Sequence, residues 1–454
     1  MNSTKKEDNF IRTHYFEIIS VLVIIGAFIV VCMISFLSEF GVHPDEYDVR
    51  ACLDWCEDRF LWPDMRLYGE GLGDTYSGYG YTKVCNYTPY FLIFGKISFV
   101  FRQFMADLPY YRMPNLLLML FMSVCMIRSI RKHDYLMTGF GICAQAWYIF
   151  SYVTADAFDF VLSFIAVMLL ADRNSFLWKT VNADHQMSKT RIIVRCIVLG
   201  ILYGLIMLGK PYYYAELLLT FLVLVRHLIK FEINFRKRLL GRYLLIACVT
   251  FAVFGGRAAL DLHYYGLDKA EVKHEMETVY ADPDKNPDTP VEEQAPSFRM
   301  YQKGYKVSDV FVLEPDWAKE IFRSMVSARV SSAGDEPYYV LMGFLYLTIY
   351  VMIGVCLIRQ RDHLILIAGT LISVTGIAAA VLSSYFSDIQ PQGRYLLPII
   401  LTTCYLGSRA GTLWKKDYFK IIVLLTGCMS VMYFGLYDMR ALTDLGHVRS
   451  LLGI

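Results

Sequence analysis

The chain is 454 residues long, 56% hydrophobic and only 19% charged, with a formal net charge of +2. That composition excludes an ordinary soluble enzyme, and the lack of any basic arm excludes a nucleic-acid binder. Apolar runs of roughly 17 to 23 residues recur along the chain, so a cleaved leader accounts for the first of them at most.

Ile18 to Leu37 is that first run. It is too long for a leader's apolar core and is expected to remain as a span, with Lys5, Lys6 and Arg12 keeping the N-terminus cytoplasmic. Directly behind it stand His43, Pro44, Asp45, Glu46 and Tyr47. Asp45 and Glu46 therefore emerge at the membrane surface, where folding has no need of charge, and paired carboxylates there suggest chemistry on a membrane-borne substrate. The outer loop they open runs over 38–112. Cys52 and Cys56 sit one helical turn apart in it, and a bridge to Cys85 fits an oxidising compartment, although an odd count leaves one thiol unpaired. The other eight cysteines fall in expected spans as small apolar packers. Asn86, Tyr87 and Thr88 form a glycosylation sequon. Tyr90 to Met105 is apolar enough to cross, but it carries Lys96 and Arg102, and inserting it would put every later basic cluster outside. It is expected to lie on the outer surface as an amphipathic helix.

The following spans are Met113 to Ile130, Tyr135 to Val153, Ala155 to Ala171, Ile192 to Leu208, Tyr212 to Ile229, Tyr243 to Leu262, Tyr338 to Ile358, Leu364 to Phe386, Gly393 to Gly407 and Ile421 to Leu436, which makes about eleven in all. Arg128, Arg131 and Lys132, then Arg173 to Arg191, Lys230 to Arg242, Arg359 and Arg361, and Arg409 to Lys420 mark alternate junctions as cytoplasmic, which leaves the C-terminus outside. A second outer loop runs over 263–337. Its acidic first half, from Asp282 to Glu293, reads as solvated and poorly ordered. In its second half Trp317, Ile321, Phe322, Met325 and Val326 recur on one face opposite Lys319 and Arg323, which predicts another surface helix.

Polar residues interrupt apolar sequence at a few places, all on the outer side. Asp156 lies in Thr154 to Ala157, Lys210 precedes Pro211 and Tyr212, and Gln392 and Arg394 precede Tyr395 and Pro398. Arg257 lies about one turn below the outer end of its helix. Each has a plainer explanation alone. Lys210 and Arg394 can snorkel to headgroups, Arg257 can pair with Asp261 one turn on, and Asp156 can cap the next helix. Glu46 and Asp48 read as solvated neighbours of Asp45, and His43 as structural. The joint pattern on one face favours a site.

A short inner tail, one span, an outer loop opening on an acidic pair, and surface helices before the second span resemble the GT-C superfamily of polyprenol-dependent glycosyltransferases, among them protein mannosyltransferases and aminoarabinose transferases. The His43 to Glu46 string is similar to that of eukaryotic mannosyltransferases that use dolichyl-phosphate mannose. The ordered set of Pro44 to Glu46, Thr154 to Ala157, Lys210 to Tyr212, and Gln392 to Tyr395 with Pro398 resembles more closely a group of bacterial multi-span membrane proteins of GT-C type. The likeness extends over most of the chain.

The resemblance implies an all-α polytopic membrane protein, a single GT-C-like bundle over 1–454 with two long outer loops carrying surface helices. It implies transfer of a sugar from a polyprenyl-phosphate donor to a glycan, lipid or cell-wall acceptor on the outer face of the cell membrane. With no large soluble C-terminal domain, such an acceptor is expected rather than a protein. The family's first-loop acid falls on Asp45 as general base, with Glu46 as its stand-in. Arg394 and Lys210 are expected to hold the phosphate and Asp156 to orient the sugar or Lys210, with His43, Tyr212, Arg257, Gln392 and Tyr395 lining the substrate site. Single displacement inverts the anomeric centre. No cofactor is demanded; a divalent ion beside Asp45 is allowed, but no ligand spacing requires one. The rival reading, a transporter or flippase of polyprenyl-linked sugars, calls for charge through mid-membrane and an inverted repeat, neither of which is evident.

Overall fold

A computed structural model describes residues 2–66, 72–106, 108–183, 187–229, 233–328 and 336–443. Among these residues the regular structure is helical, with two isolated β-bridges and no strand. α1 (Asn2–Leu37) leads into a first long loop that holds α2 (Glu46–Trp55) and α3 (Tyr90–Arg102). α4 (Met113–Ser129) follows, then α5 (Ala144–Tyr148), α6 (Asp156–Ala171), α7 (Phe176–Val181), α8 (Lys189–Leu208), α9 (Tyr214–Ile229) and α10 (Ile233–Tyr265). The second loop holds α11 (Lys269–Tyr280), α12 (Val310–Leu313) and α13 (Trp317–Val326), after which come α14 (Glu336–Arg359), α15 (His363–Phe386), α16 (Leu397–Arg409) and α17 (Asp417–Tyr433).

Eight helical stretches among the described residues are long and apolar enough to cross a membrane: His14–Leu37, Tyr110–Ser129, Lys189–Leu208, Pro211–Ile229, Phe235–Tyr265, Glu336–Arg359, His363–Phe386 and Asp417–Leu442. The chain is thus a helical, multi-pass membrane protein. Three expected spans take another form. Tyr135 to Val153 is not one helix, because 3-10 turns at Asp134–Thr138 and Phe140–Ile142 precede α5. Every residue from Tyr135 to Phe164 is buried, and broken backbone is tolerated at membrane depth only when protein encloses it. A continuous apolar run reads the same in sequence whether it faces lipid or other helices. α6 and α16, at 16 and 13 residues, are the other two short elements.

The two helices expected on a surface exist, but their surroundings differ from the expectation. α3 has 13 residues, packs Tyr90, Phe91 and Phe94 inward, and leaves Ile93, Phe99 and Val100 exposed. Its two basic residues find partners close by: Lys96 donates to the carbonyls of Cys56 and Leu92, and Arg102 pairs with Glu57 at 2.5 Å. α13 is wedged into the bundle instead of lying on it. Trp317 donates to Ser384 Oγ at 3.0 Å, and Arg323, expected on the exposed face, is buried between Glu320 and Glu336. Helical spacing located this helix and the exposed Lys319 but could not say that protein covers Arg323.

The acidic stretch from Asp282 to Glu293, expected to be poorly ordered, is folded into turns. Gln294 donates to the carbonyls of Asn286 and Thr289, and Ala295 N–H to that of Asp284. A bridge between Tyr79 and Ala281, and a bond from Asp282 N–H to Gly78 O at 2.9 Å, join the two long loops. Cys52, Cys56 and Cys85 are free thiols, with the first two in the main core and Cys85 in a separate cluster beside Tyr265 and Met276. Lys230, the 67–71 and 329–335 parts of the two loops, and the expected outer C-terminus at 444–454 lie outside the described residues.

Candidate active site

Asp156 is the hub. It sits in the first turn of α6, where a carboxylate suits the positive end of the helix dipole, and it is fully buried. It does not cap the helix, because Ala155 occupies that position. Its oxygens instead accept from Lys210 Nζ at 2.8 Å, Arg394 Nη1 at 3.2 Å, Thr154 Oγ1 at 3.1 Å and the Tyr212 hydroxyl. One turn further, Asp159 Oδ2 accepts the Lys210 backbone N–H at 3.0 Å, so two carboxylates on one helical face clamp the turn between α8 and α9.

Arg394 reaches this hub because α13 presses on its turn. A Cβ at Gly393 would lie 2.1 Å from Met325 N, so only glycine fits, and Gly393 N–H donates to Ser324 Oγ at 2.6 Å. The Arg394 side chain is 10% exposed, and its second arm, Nη2, faces Asp45 Oδ2 at 3.8 Å. One guanidinium therefore spans the loop carboxylate and the buried one, a geometry its planar fork permits.

Asp45 is the open end of the cluster, with its side chain 43% exposed. It holds the position before α2 with φ 59°, a left-handed conformation that Asp adopts more readily than most residues. Lys83 lies between it and Asp48, 3.1 and 2.9 Å away. Burial pushes the Asp45 carboxyl up, but Lys83, Arg394 and Lys210 outweigh it and hold the group below its ordinary value. Burial dominates at Asp48, which is raised despite Lys83. Burial lowers Lys83, but Asp45 and Asp48 more than reverse this. Lys210 is lowered by burial against the pull of Asp156.

Other expected residues divide. Tyr212 joins the hub and packs edge-on against Tyr395, with ring centres 5.5 Å apart. Gln392 and Tyr395 both contact Gln390 Oε1 at 3.3 Å, and Gln390 donates to the Tyr79 hydroxyl, which donates to Asp388. His43 is buried scaffold, held by Ser38 Oγ at 2.7 Å and the Tyr148 hydroxyl at 3.0 Å and stacked on Tyr152. Burial, with Arg112 nearby, pushes its pKa well down, so the ring is neutral. Glu46 is not a solvated stand-in for Asp45. It is 1% exposed and bonded to Arg112 at 2.6 and 3.0 Å, and Arg112 also ties the carbonyls of Ser35, Ser38 and Glu39 to the end of α1. Arg257 belongs to a separate ionic group, pairing with Asp261, donating to Cys85 O and lying over the Trp62 and Tyr87 rings.

Lys83, Gln390, Tyr79 and Arg112 escaped the sequence reading, and Asp48, expected as a solvated neighbour of Asp45, is instead largely buried and paired with Lys83. Lys83 left one signal, as the only Lys or Arg between Arg66 and Lys96, within a tyrosine-rich stretch. A small cavity lined by Pro44, Tyr148, Tyr152, Gln392 and Arg394 adjoins the cluster. A roomier cavity lies elsewhere on the first loop and touches none of these residues. Convergence of buried charge, not volume, is what marks the cluster as the candidate site. Among the described residues no three His, Cys, Asp or Glu side chains gather as ligands for a metal ion. The chain matches no protein-family model, no curated protein and no solved structure.

Proposed function

We propose that this protein is a membrane glycosyltransferase of GT-C type that moves a sugar from a polyprenyl phosphate to a glycan, lipid or cell-wall acceptor at the outer face of the cell membrane. The observation that carries the reading is Arg394 spanning Asp45 and Asp156 with Lys210 on the same hub. In the proposed reaction the acceptor hydroxyl attacks the anomeric carbon, the bond from that carbon to the phosphate oxygen breaks, and polyprenyl phosphate leaves with the electron pair. The acceptor proton passes to Asp45, and the displacement inverts the centre. Arg394 and Lys210 take the departing charge, the first as a fork and the second as a point charge.

The present pairing suits such a cycle. The contact from Arg394 to Asp45 is the longest in the cluster and is open to water at its Asp45 end, so a phosphate can replace Asp45 there at little cost. Once Arg394 turns to phosphate, Asp45 loses a cation that lowers it and becomes a stronger base as donor binds. No metal is needed for these steps, and a divalent ion at Asp45 would have to displace Lys83. The proposed topology keeps eleven crossings, in which Tyr135 to Val153, α6 and α16 run inside the bundle, with both long loops and the C-terminus outside.

One observation favours the rival flippase. Glu216, in the first turn of α9, is 1% exposed, and neither carboxyl oxygen has a hydrogen-bond partner among the described residues. Carboxyls at membrane depth often mark transport paths. Incubating the protein with a panel of polyprenyl-phosphate sugars separates the readings. A transferase releases polyprenyl phosphate, while a flippase moves the intact donor across the bilayer.

A further inference from the structure

Three helices leave the Asp156 hub together and carry arginines to a second meeting point. α6 begins at Asp156, α9 follows the Lys210 turn, and α16 follows Arg394. The three pack against one another, and their helical rise puts their far ends about 20 to 24 Å away. There Arg173, just beyond α6, Arg226, in the last turn of α9, and Arg409, at the end of α16, gather around one buried carboxylate, Asp362. Arg226 Nη1 pairs with Asp362 Oδ1, and Arg409 Nη2 with Oδ2 at 3.3 Å. Cations suit the C-terminal ends of helices, which accounts for Arg226 and Arg409. It does not account for Arg173, which has no ion pair or hydrogen bond among the described residues and lies on the Trp178 ring, 4.0 Å from its centre. The neighbouring Asp172 faces His133 instead, at 3.8 Å. Partial burial, then Arg409 and Arg226, lower the Arg173 pKa, so the three guanidiniums repel one another.

The cluster keeps donors to spare. Arg173 is exposed, and the Arg226 and Arg409 side chains are 25% and 28% exposed, so all three can be reached. Arg226 Nη2 and Arg409 Nη1 make no hydrogen bond among the described residues. Tyr405, one turn before Arg409, is 1% exposed, and its hydroxyl has no hydrogen-bond partner among the described residues although Arg409, Arg173, Asp362 and Arg226 surround it. A buried tyrosine hydroxyl ordinarily has a partner, and one set among guanidiniums is placed to donate to an anion that they hold. Phosphate fits, because its several oxygens can accept from planar forks and a hydroxyl at once. The place supplies one: α9 and α15 are of membrane-crossing length, their ends lie at headgroup level, and basic pockets between such helices hold anionic headgroups. We propose that Arg173, Arg226, Arg409 and Tyr405 bind the phosphate of an anionic lipid headgroup at the end of the bundle remote from Asp45, which is the inner face in the proposed topology. The site is independent of the transferase reading, since none of its residues belongs to the Asp45 cluster.

The test is equilibrium binding to the full chain in detergent of short-chain phosphatidic acid, phosphatidylcholine of the same chain length and inorganic phosphate, with thermal unfolding as the check on each variant's fold. Wild type is expected to bind phosphatidic acid saturably and more tightly than phosphatidylcholine. Arg173→Gln leaves Asp362 both its partners and should weaken that binding by about tenfold or more. Tyr405→Phe removes only the hydroxyl and should weaken it by about threefold or more. Arg191→Gln removes an exposed charge from the start of α8, outside the cluster, and should bind as wild type does. Inorganic phosphate binding as tightly as the lipid supports the phosphate site with a soluble ligand in place of a headgroup. No saturable binding of either phosphatidic acid or inorganic phosphate, unchanged affinity in Arg173→Gln, or an equal loss in Arg191→Gln overturns the site. None of these results bears on the transferase reading, which stands or falls on donor cleavage.

Discussion

Replacing Arg394 with lysine separates a phosphate-gripping fork from a charge that merely seeks the headgroups. The guanidinium uses Nη1 on Asp156 at 3.2 Å and Nη2 toward Asp45 at 3.8 Å, and its side chain is 10% exposed. A lysine keeps the charge but offers one ammonium, which in this geometry stays with the fully buried Asp156. The second arm is lost. A hydrogen bond to a charged group contributes about 1.5 to 3 kcal/mol, which corresponds to roughly 10- to 100-fold in donor affinity. The assay is equilibrium binding of polyprenyl-phosphate sugars to Arg394→Lys in nanodiscs beside wild type, with thermal unfolding as the check on folding. Equal affinity for the two proteins refutes the fork and leaves Lys210 to hold the phosphate.

Glu46→Gln should destabilise the fold by about 3 to 5 kcal/mol, because it leaves Arg112 buried with its charge unmatched, and denaturation in detergent reads this out. Gly393→Ala must push Met325 N away from a 2.1 Å approach, so unfolding temperature should fall, with about 1 to 3 kcal/mol lost to overpacking. Lys83→Met removes a cation that lowers Asp45. Protonation of the base abolishes activity, so the acid limb of the kcat/KM profile, below the ordinary carboxylate range in wild type, should move to higher pH; an unmoved limb means that Asp45 is not the titrating base.

Periodicity and charge bias made the helical membrane character legible, because a span is a local property of some twenty consecutive residues. They failed where a segment's environment is set by distant sequence. The run Tyr135 to Val153 has the composition of a span but the fate of a core, and Arg323 reads as an exposed helix charge but lies between two glutamates. Asp45, Asp156, Lys210 and Arg394 were legible because each is a polar residue at one end of an apolar run, and Tyr212 through the resemblance; the fold brings all five into one network. Arg257 met the same criterion, yet its pairing with Asp261 serves a separate cluster. Lys83 could not be ranked from sequence, because its meaning depends on a loop folding back over α2 to place it between Asp45 and Asp48.

The central claim is that Asp45 takes the acceptor proton while a sugar-phosphate bond breaks. The measurement that meets it most directly is release of polyprenyl phosphate from a panel of polyprenyl-phosphate sugars by wild type and by Asp45→Asn, which keeps shape but not basicity. Wild type should cleave at least one donor with inversion, and Asp45→Asn should be slower by roughly 100-fold or more with folding unchanged. Movement of intact donor across the bilayer without cleavage, or turnover by Asp45→Asn at the wild-type rate, contradicts the account.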